Sequence, residues 1–165
     1  MKTPKYPNTM KTSLALLACI GPLFLTGCAS TRQFVPFPEQ SQRVQDPSKG
    51  RIYVMRPAGL GAAITMNVSD GGKPIGKTGP HGFLCWERDP GDTIVIGTAE
   101  GASQAPLTVQ SGNVYYIFQH VRMGLLMARN ELEVVDEDKG RKVLKKCHRP
   151  KMEQAPPSAA SGTSP

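Results

Sequence analysis

The side chains in this chain best suited to chemistry are four thiols, at Cys19, Cys28, Cys85 and Cys147, and three imidazoles, at His81, His120 and His148. Cys85 with His120 would have the residue types of a thiolate nucleophile and its base, although no Asn or Asp is marked as the group that would orient the imidazole. A metal site could join His81 to Cys85, or Cys147 to His148, but no C-x-x-C or H-x-x-x-H spacing supports either. Gly71-Gly72-Lys73-Pro74-Ile75-Gly76-Lys77-Thr78 fits the phosphate-loop pattern G-x-x-x-x-G-K-[ST]. That loop needs a helix starting at its Lys-Thr, so that backbone amides meet the phosphates. Here Gly79-Pro80-His81-Gly82 stops a helix and Pro74 removes an amide, so the segment is expected to be a β-hairpin. Asp70, Asp89 and Asp92 could pair as hydrolytic carboxylates, but all three border turn residues, which explains them without catalysis. Trp86, Tyr115 and Phe118 could form an aromatic platform for a sugar.

The strongest chemical signal lies at the N-terminus. Residues Met1–Lys11 are polar and basic, and Leu14–Leu25 form an apolar run interrupted only by Gly21 and Pro22. That run is too short to span a bilayer, which takes about 20 apolar residues. With the small residues that follow, it has the form of a cleavable export signal. Met10-Lys11 would make an equally good start. Leu25-Thr26-Gly27-Cys28 resembles the lipobox of bacterial lipoproteins. The resemblance implies that residues 1–27 are removed and that Cys28 becomes a diacylglyceryl cysteine with an acylated amine. Two or more acyl chains give stable anchoring. In that family Asp after the Cys favours the inner membrane; Ala29 stands here, which favours the periplasmic face of the outer membrane.

Cys19 would leave with the signal and Cys28 would carry lipid. Cys85 and Cys147 would then remain in an oxidising compartment, where a disulfide is the expectation and two free thiols the alternative. The bridge would close a loop of about sixty residues, worth roughly 4 kcal/mol in the chain-entropy account. The charge of +7 divides the same way: without Lys2, Lys5 and Lys11 the mature chain has 17 basic and 13 acidic residues, a net of +4. Lys139 to Lys151 holds seven Lys or Arg and no acid. Such a strip is ordinarily a solvated helix end, and near a lipid anchor it could touch anionic headgroups.

The elements that must position these residues are short. Residues 28–48, punctuated by Pro36, Pro38 and Pro47, read as an acylated N-terminus and a flexible tether of about 25 Å root-mean-square span. Strand patterns follow at Arg51–Arg56, Ile64–Ser69, Pro74–Lys77, Gly82–Glu87, Thr93–Ala99, Leu107–Gln110, Val114–Val121 and Glu131–Val135. Asp70-Gly71-Gly72 is a strong hairpin signal. Asp136 is placed to cap a short helix running to about Cys147, with Val143 and Leu144 inward and Gly140 weakening it. Seven to eight short antiparallel strands at turn spacings of about 8–12 residues, plus this helix, predict an all-β sandwich over residues 49–149. Residues 150–165 read as a disordered tail. Arg122–Arg129 is an apolar run between two arginines, a core segment or a contact surface.

Four stretches, Arg51–Pro57, Asp70–Gly76, Pro90–Ile94 and Gly112–Tyr116, resemble strand-and-turn signatures of domain-of-unknown-function family 2846, a group of bacterial lipoproteins. The likeness runs from about Arg51 to Leu144. Pro90-Gly91 also resembles the turn of PEGA-type surface β-domains. The resemblance implies a β-sandwich in the cell envelope and carries no catalytic residues or cofactor. The expectation is a lipid-anchored, non-catalytic module that binds or spaces an envelope protein, peptidoglycan or a lipid headgroup. A glycan-binding module and a small hydrolase are the alternatives. Nothing points to a nucleotide, a nucleic acid or a metal as partner.

Overall fold

A computed structural model of the chain describes residues 29–58, 63–123 and 128–156. Among them, ten strands and one helix follow in the order β1 (Arg32–Gln33), β2 (Gly50–Met55), β3 (Met66–Asp70), β4 (Lys73–Thr78), β5 (Phe83–Arg88), β6 (Gly91–Thr98), β7 (Ala102–Val109), β8 (Val114–Met123), β9 (Ala128–Val135), α1 (Glu137–Leu144) and β10 (Lys151–Met152). The protein is mainly β, with a six-stranded sheet ordered β10-β1-β4-β3-β6-β7 and a four-stranded sheet ordered β5-β2-β8-β9. Every strand expected from the sequence is present, β7 beginning five residues early, but the expected all-antiparallel pairing is corrected: β2 runs parallel to β8 and β1 parallel to β10.

Turn chemistry sets the hairpins. Gly71 and Gly72 both have positive φ, 54° and 85°, the requirement of the primed two-residue turn that suits strand twist. The phosphate-loop pattern is therefore a β3–β4 hairpin, with Asp70 paired to Lys73 and Asn67 to Lys77.

The burial patterns explain why some strands alternate and others do not. In β6, Thr93, Val95 and Gly97 are buried and Asp92, Ile94 and Thr98 are exposed, as for a sheet with one face in solvent. In β2 every residue is buried, because the four-stranded sheet is covered on both faces. Its inner face packs Ile52, Val54, Leu84, Trp86 and Ile117 against Val68, Ile75, Val95 and Leu107 of the six-stranded sheet. Its outer face presents Tyr53, Met55, Phe83, Cys85, Tyr116 and Phe118, which are covered by Phe37, Val143, Leu144 and Cys147.

That outer layer corrects two expectations. Residues 29–48 are not a free tether: Thr31, Gln33 and Val35 are buried, and β1 pairs with β4 on one side and β10 on the other. The described part of the expected tail, residues 150–156, includes β10, whose Lys151 amide donates to Thr31 O at 2.9 Å. Both segments order because a sheet edge and an apolar sheet face would otherwise be left open. The helix also ends earlier than expected, at Leu144, with its last amides closing turns through Cys147. Asp136 is its N-cap and accepts from the Lys139 amide at 2.8 Å.

Candidate functional site

Arg51 is the second residue of β2, and strand alternation sends its side chain to the outer face beside Tyr53 and Met55. Its guanidinium is almost fully buried there and meets Glu87 of β5 through Nε and Nη2, at 2.9 and 2.7 Å from Oε1. It also donates to Gln42 O at 3.0 Å and Glu39 O at 2.7 Å. Glu87 accepts in turn from the backbone amides of Gln45 and Asp46, at 2.6 and 3.1 Å. One buried ion pair thus clips residues 39–46 onto the sheet.

The clipped segment forms one wall of a groove of about 520 Å³, with α1 as the other. Its floor is Tyr53, Val114 and Tyr116, whose two tyrosine rings stack with centroids 5.3 Å apart. Tyr53 Oη donates to Gln40 Oε1 at 2.8 Å. Arg43 and Glu137 join the walls through two hydrogen bonds of 2.7 and 2.8 Å, with Arg141 adding a third at 3.3 Å. The Arg43 hydrogen bonds hold the Glu137 carboxyl below the usual carboxylate range, with help from Arg141. Lys145 completes the rim, leaving three cations against one carboxylate. Such a surface can recognise an anionic, partly apolar ligand.

Cys85 lies beneath the same layer. Burial pushes its thiol up to about 12, far from the lowered values of reactive thiolates. His120 is not within reach of it: Cys85 is level with Tyr53, and Tyr53 with Tyr116, so His120 sits two strands over and four residues along, about 16 Å away at ordinary sheet spacings. His120 instead hydrogen-bonds Glu133 at 3.0 Å.

The expected disulfide is also corrected: Cys85 and Cys147 are both free thiols. The parallel bridge between Gly82 and His148 explains why. Cys147 lies in the turn after α1, its amide bonded to Leu144 O, next to the bridged His148 at the start of β5, whereas Cys85 is the third residue of that strand. A disulfide needs Cα atoms within about 7 Å. Burial raises the Cys147 thiol as well, to about 11.

The other candidates separate. Trp86 and Tyr115 flank Ile52 on the inner face while Phe118 is on the outer one, so the three make no platform. Trp86 Nε1 donates to Asp70 at 2.8 Å, Arg88 adds another bond of 2.8 Å, and Thr93 a third. This buried carboxylate is saturated by structural partners. Asp92 accepts from Thr108 at 2.7 Å and Asp89 faces Lys49 at 3.8 Å. His81 and His148 are neighbours through a 2.6 Å backbone bond, and among the described residues no three His, Cys, Asp or Glu side chains gather as metal ligands. No described helix is long and apolar enough to cross a membrane. Cys28, the expected lipid site, and Met123–Met127 of the apolar run lie outside the described residues or their described side chains.

Sequence reasoning missed the Arg51–Glu87 clasp and the groove it holds open. The available signal was an arginine and a tyrosine at alternate positions of an otherwise apolar strand, a polar pair on a face that had to be covered.

No family model matches the chain. It is similar to a protein of Haemophilus influenzae (strain ATCC 51907 / DSM 11121 / KW20 / Rd) described only as uncharacterized, 26% identical over 130 residues that cover 76% of this chain and 77% of that one.

Proposed function

We propose that this protein is an envelope lipoprotein, acylated at Cys28, whose β-sandwich is a non-catalytic binding or spacer module at the periplasmic face of the outer membrane. The observation that carries the reading is the lipobox-like Leu25-Thr26-Gly27-Cys28 after a basic and then an apolar segment. The fold is compatible with the cut this implies, because Thr31 and Gln33, three and five residues past the cysteine, are already buried parts of the domain. Removal of residues 1–27 leaves every described strand intact. The binding rather than catalytic role rests on the buried, proton-retaining Cys85, the saturated Asp70 and the cation-rimmed groove beside α1.

Mass spectrometry of the chain extracted from bacterial membranes tests the reading. The expected N-terminal peptide begins at Cys28 and carries a diacylglyceryl group and an amide-linked acyl chain. Cys28→Ser is expected to accumulate with residues 1–27 attached. Recovery of an unmodified chain that starts at Met1 or Met10 would overturn the proposal.

A further inference from the structure

The strand pairing gathers particular charges at the end of the sandwich where the described chain begins. Residues before β1 run antiparallel to those after β4, so that the Ala29 carbonyl packs against Gly79. The Thr31 hydroxyl accepts from the Gly79 amide at 2.8 Å. The parallel Gly82–His148 bridge and the parallel pairing of β10 with β1 bring the last turn of α1 and the start of β10 to the same end. Lys145, Lys146, Arg149 and Lys151 are exposed there, with His81 and His148 between them. The three lysines make no ion pair among the described residues; of the acids nearby, Glu153 is taken by Arg32 at 2.5 Å and Glu39 faces Arg149, whose guanidinium stacks on Phe37 at 4.6 Å.

The opposite end is different. Its turns carry Asp46, Asp89 and Asp92, with Lys49 and Lys73 among them. The cations without an acidic partner thus gather at the end from which Ala29 enters the domain, while the far end mixes both signs.

We infer that the Lys145–Lys151 end is a docking face for anionic phospholipid headgroups, and that it fixes the domain upright on the bilayer with the β3–β4 turn, which carries Lys73, outward. The inference rests on Cys28 being acylated as proposed above. Residue 28 is one peptide, about 3.8 Å between Cα atoms, from Ala29, and Ala29 is packed on the domain instead of leading into a tether. Acyl chains at that position bring this face to the headgroups, within about the 8–10 Å over which charges act in physiological salt. Juxtamembrane lysines and arginines are attracted to anionic leaflets at that range.

The mature chain, extracted from membranes and reconstituted in phosphatidylcholine vesicles with or without phosphatidylglycerol, would be labelled with an amine-reactive reagent and digested for mass spectrometry. Lys145, Lys146 and Lys151 are expected to react several-fold more slowly when phosphatidylglycerol is present, Lys73 at an unchanged rate, and high salt to abolish the difference. Arg149→Gln with Lys151→Gln is expected to weaken the protection of Lys145 and Lys146. Equal labelling in both vesicles, with lipid found on Cys28 in the same digest, would overturn the docking face and leave the lipoprotein reading standing. Protection of Lys73 to the same degree would overturn the upright orientation. A digest in which Cys28 bears no lipid would overturn both proposals.

Discussion

Gly140 occupies the middle of α1, where glycine costs about 1 kcal/mol relative to alanine, and helix propensity alone would recommend replacing it. Its surroundings reverse that advice. A Cβ at this position would lie 2.3 Å from Tyr116 Cγ, because the helix backbone rests directly on the groove's tyrosine. Gly140→Ala is expected to destabilise the protein by about 1–3 kcal/mol, as other overpacked contacts do. A urea midpoint at or above that of the parent protein would refute the account. Arg51 and Glu87 make a second residue-scale case. Deleting one partner of a buried pair leaves an uncompensated charge, which costs about 3–5 kcal/mol. Glu87→Leu should show that loss in denaturant unfolding, together with faster proteolysis within residues 39–46, whose amides it no longer holds. A cost below about 1 kcal/mol would mean that Arg51 is solvated more readily than its burial implies.

β5 is an edge strand of the four-stranded sheet, and a buried edge must find partners for its amides and carbonyls. At Cys85 the partner is a side chain. The Gln33 carboxamide donates to Cys85 O at 2.7 Å and accepts from Cys85 N at 3.0 Å, standing in for the strand that is missing there. Gln33 itself belongs to β1 of the other sheet, so this one residue stitches the two sheets along an open edge. Gln33→Leu keeps the volume and removes both bonds. It is expected to cost about 2–4 kcal/mol, the desolvation of two unpaired backbone groups, and to speed hydrogen exchange at the Cys85 amide. Unchanged exchange at that amide would show that water replaces the glutamine.

Across the described molecule, burial keeps the Cys85 and Cys147 thiols and the groove tyrosines protonated. Cys85 is raised to about 12 and Cys147 to about 11 from an ordinary value of 9.0, with Tyr53 and Tyr116 raised as well. The folded state therefore holds these protons more tightly than the unfolded state does. The stability this contributes is complete below about pH 9, where unfolded thiols are still protonated, and is lost as pH rises through about 11 and 12. Urea midpoints are expected to be flat from neutral pH to about 9 and to fall steeply above it, with thiol reactivity appearing in step with unfolding. A native protein whose Cys85 reacts readily at about pH 8 would contradict the burial on which this rests.

Local patterns in the sequence were enough for the elements. Alternation placed β3, paired glycines made the β3–β4 hairpin, and Asp136 marked the start of α1, because each signal acts over a few neighbouring residues. Residues 29–48 were illegible for the opposite reason. Their proline-punctuated composition describes a chain in solvent, while their structure depends on a sheet face and a sheet edge contributed by residues far along the chain. The same distance in sequence hid the separation of Cys85 from Cys147 and the Arg51–Glu87 clasp, since both follow from strand order and register. Sequence alone determined what each segment could become; the tertiary structure decided which segments were needed to cover the others.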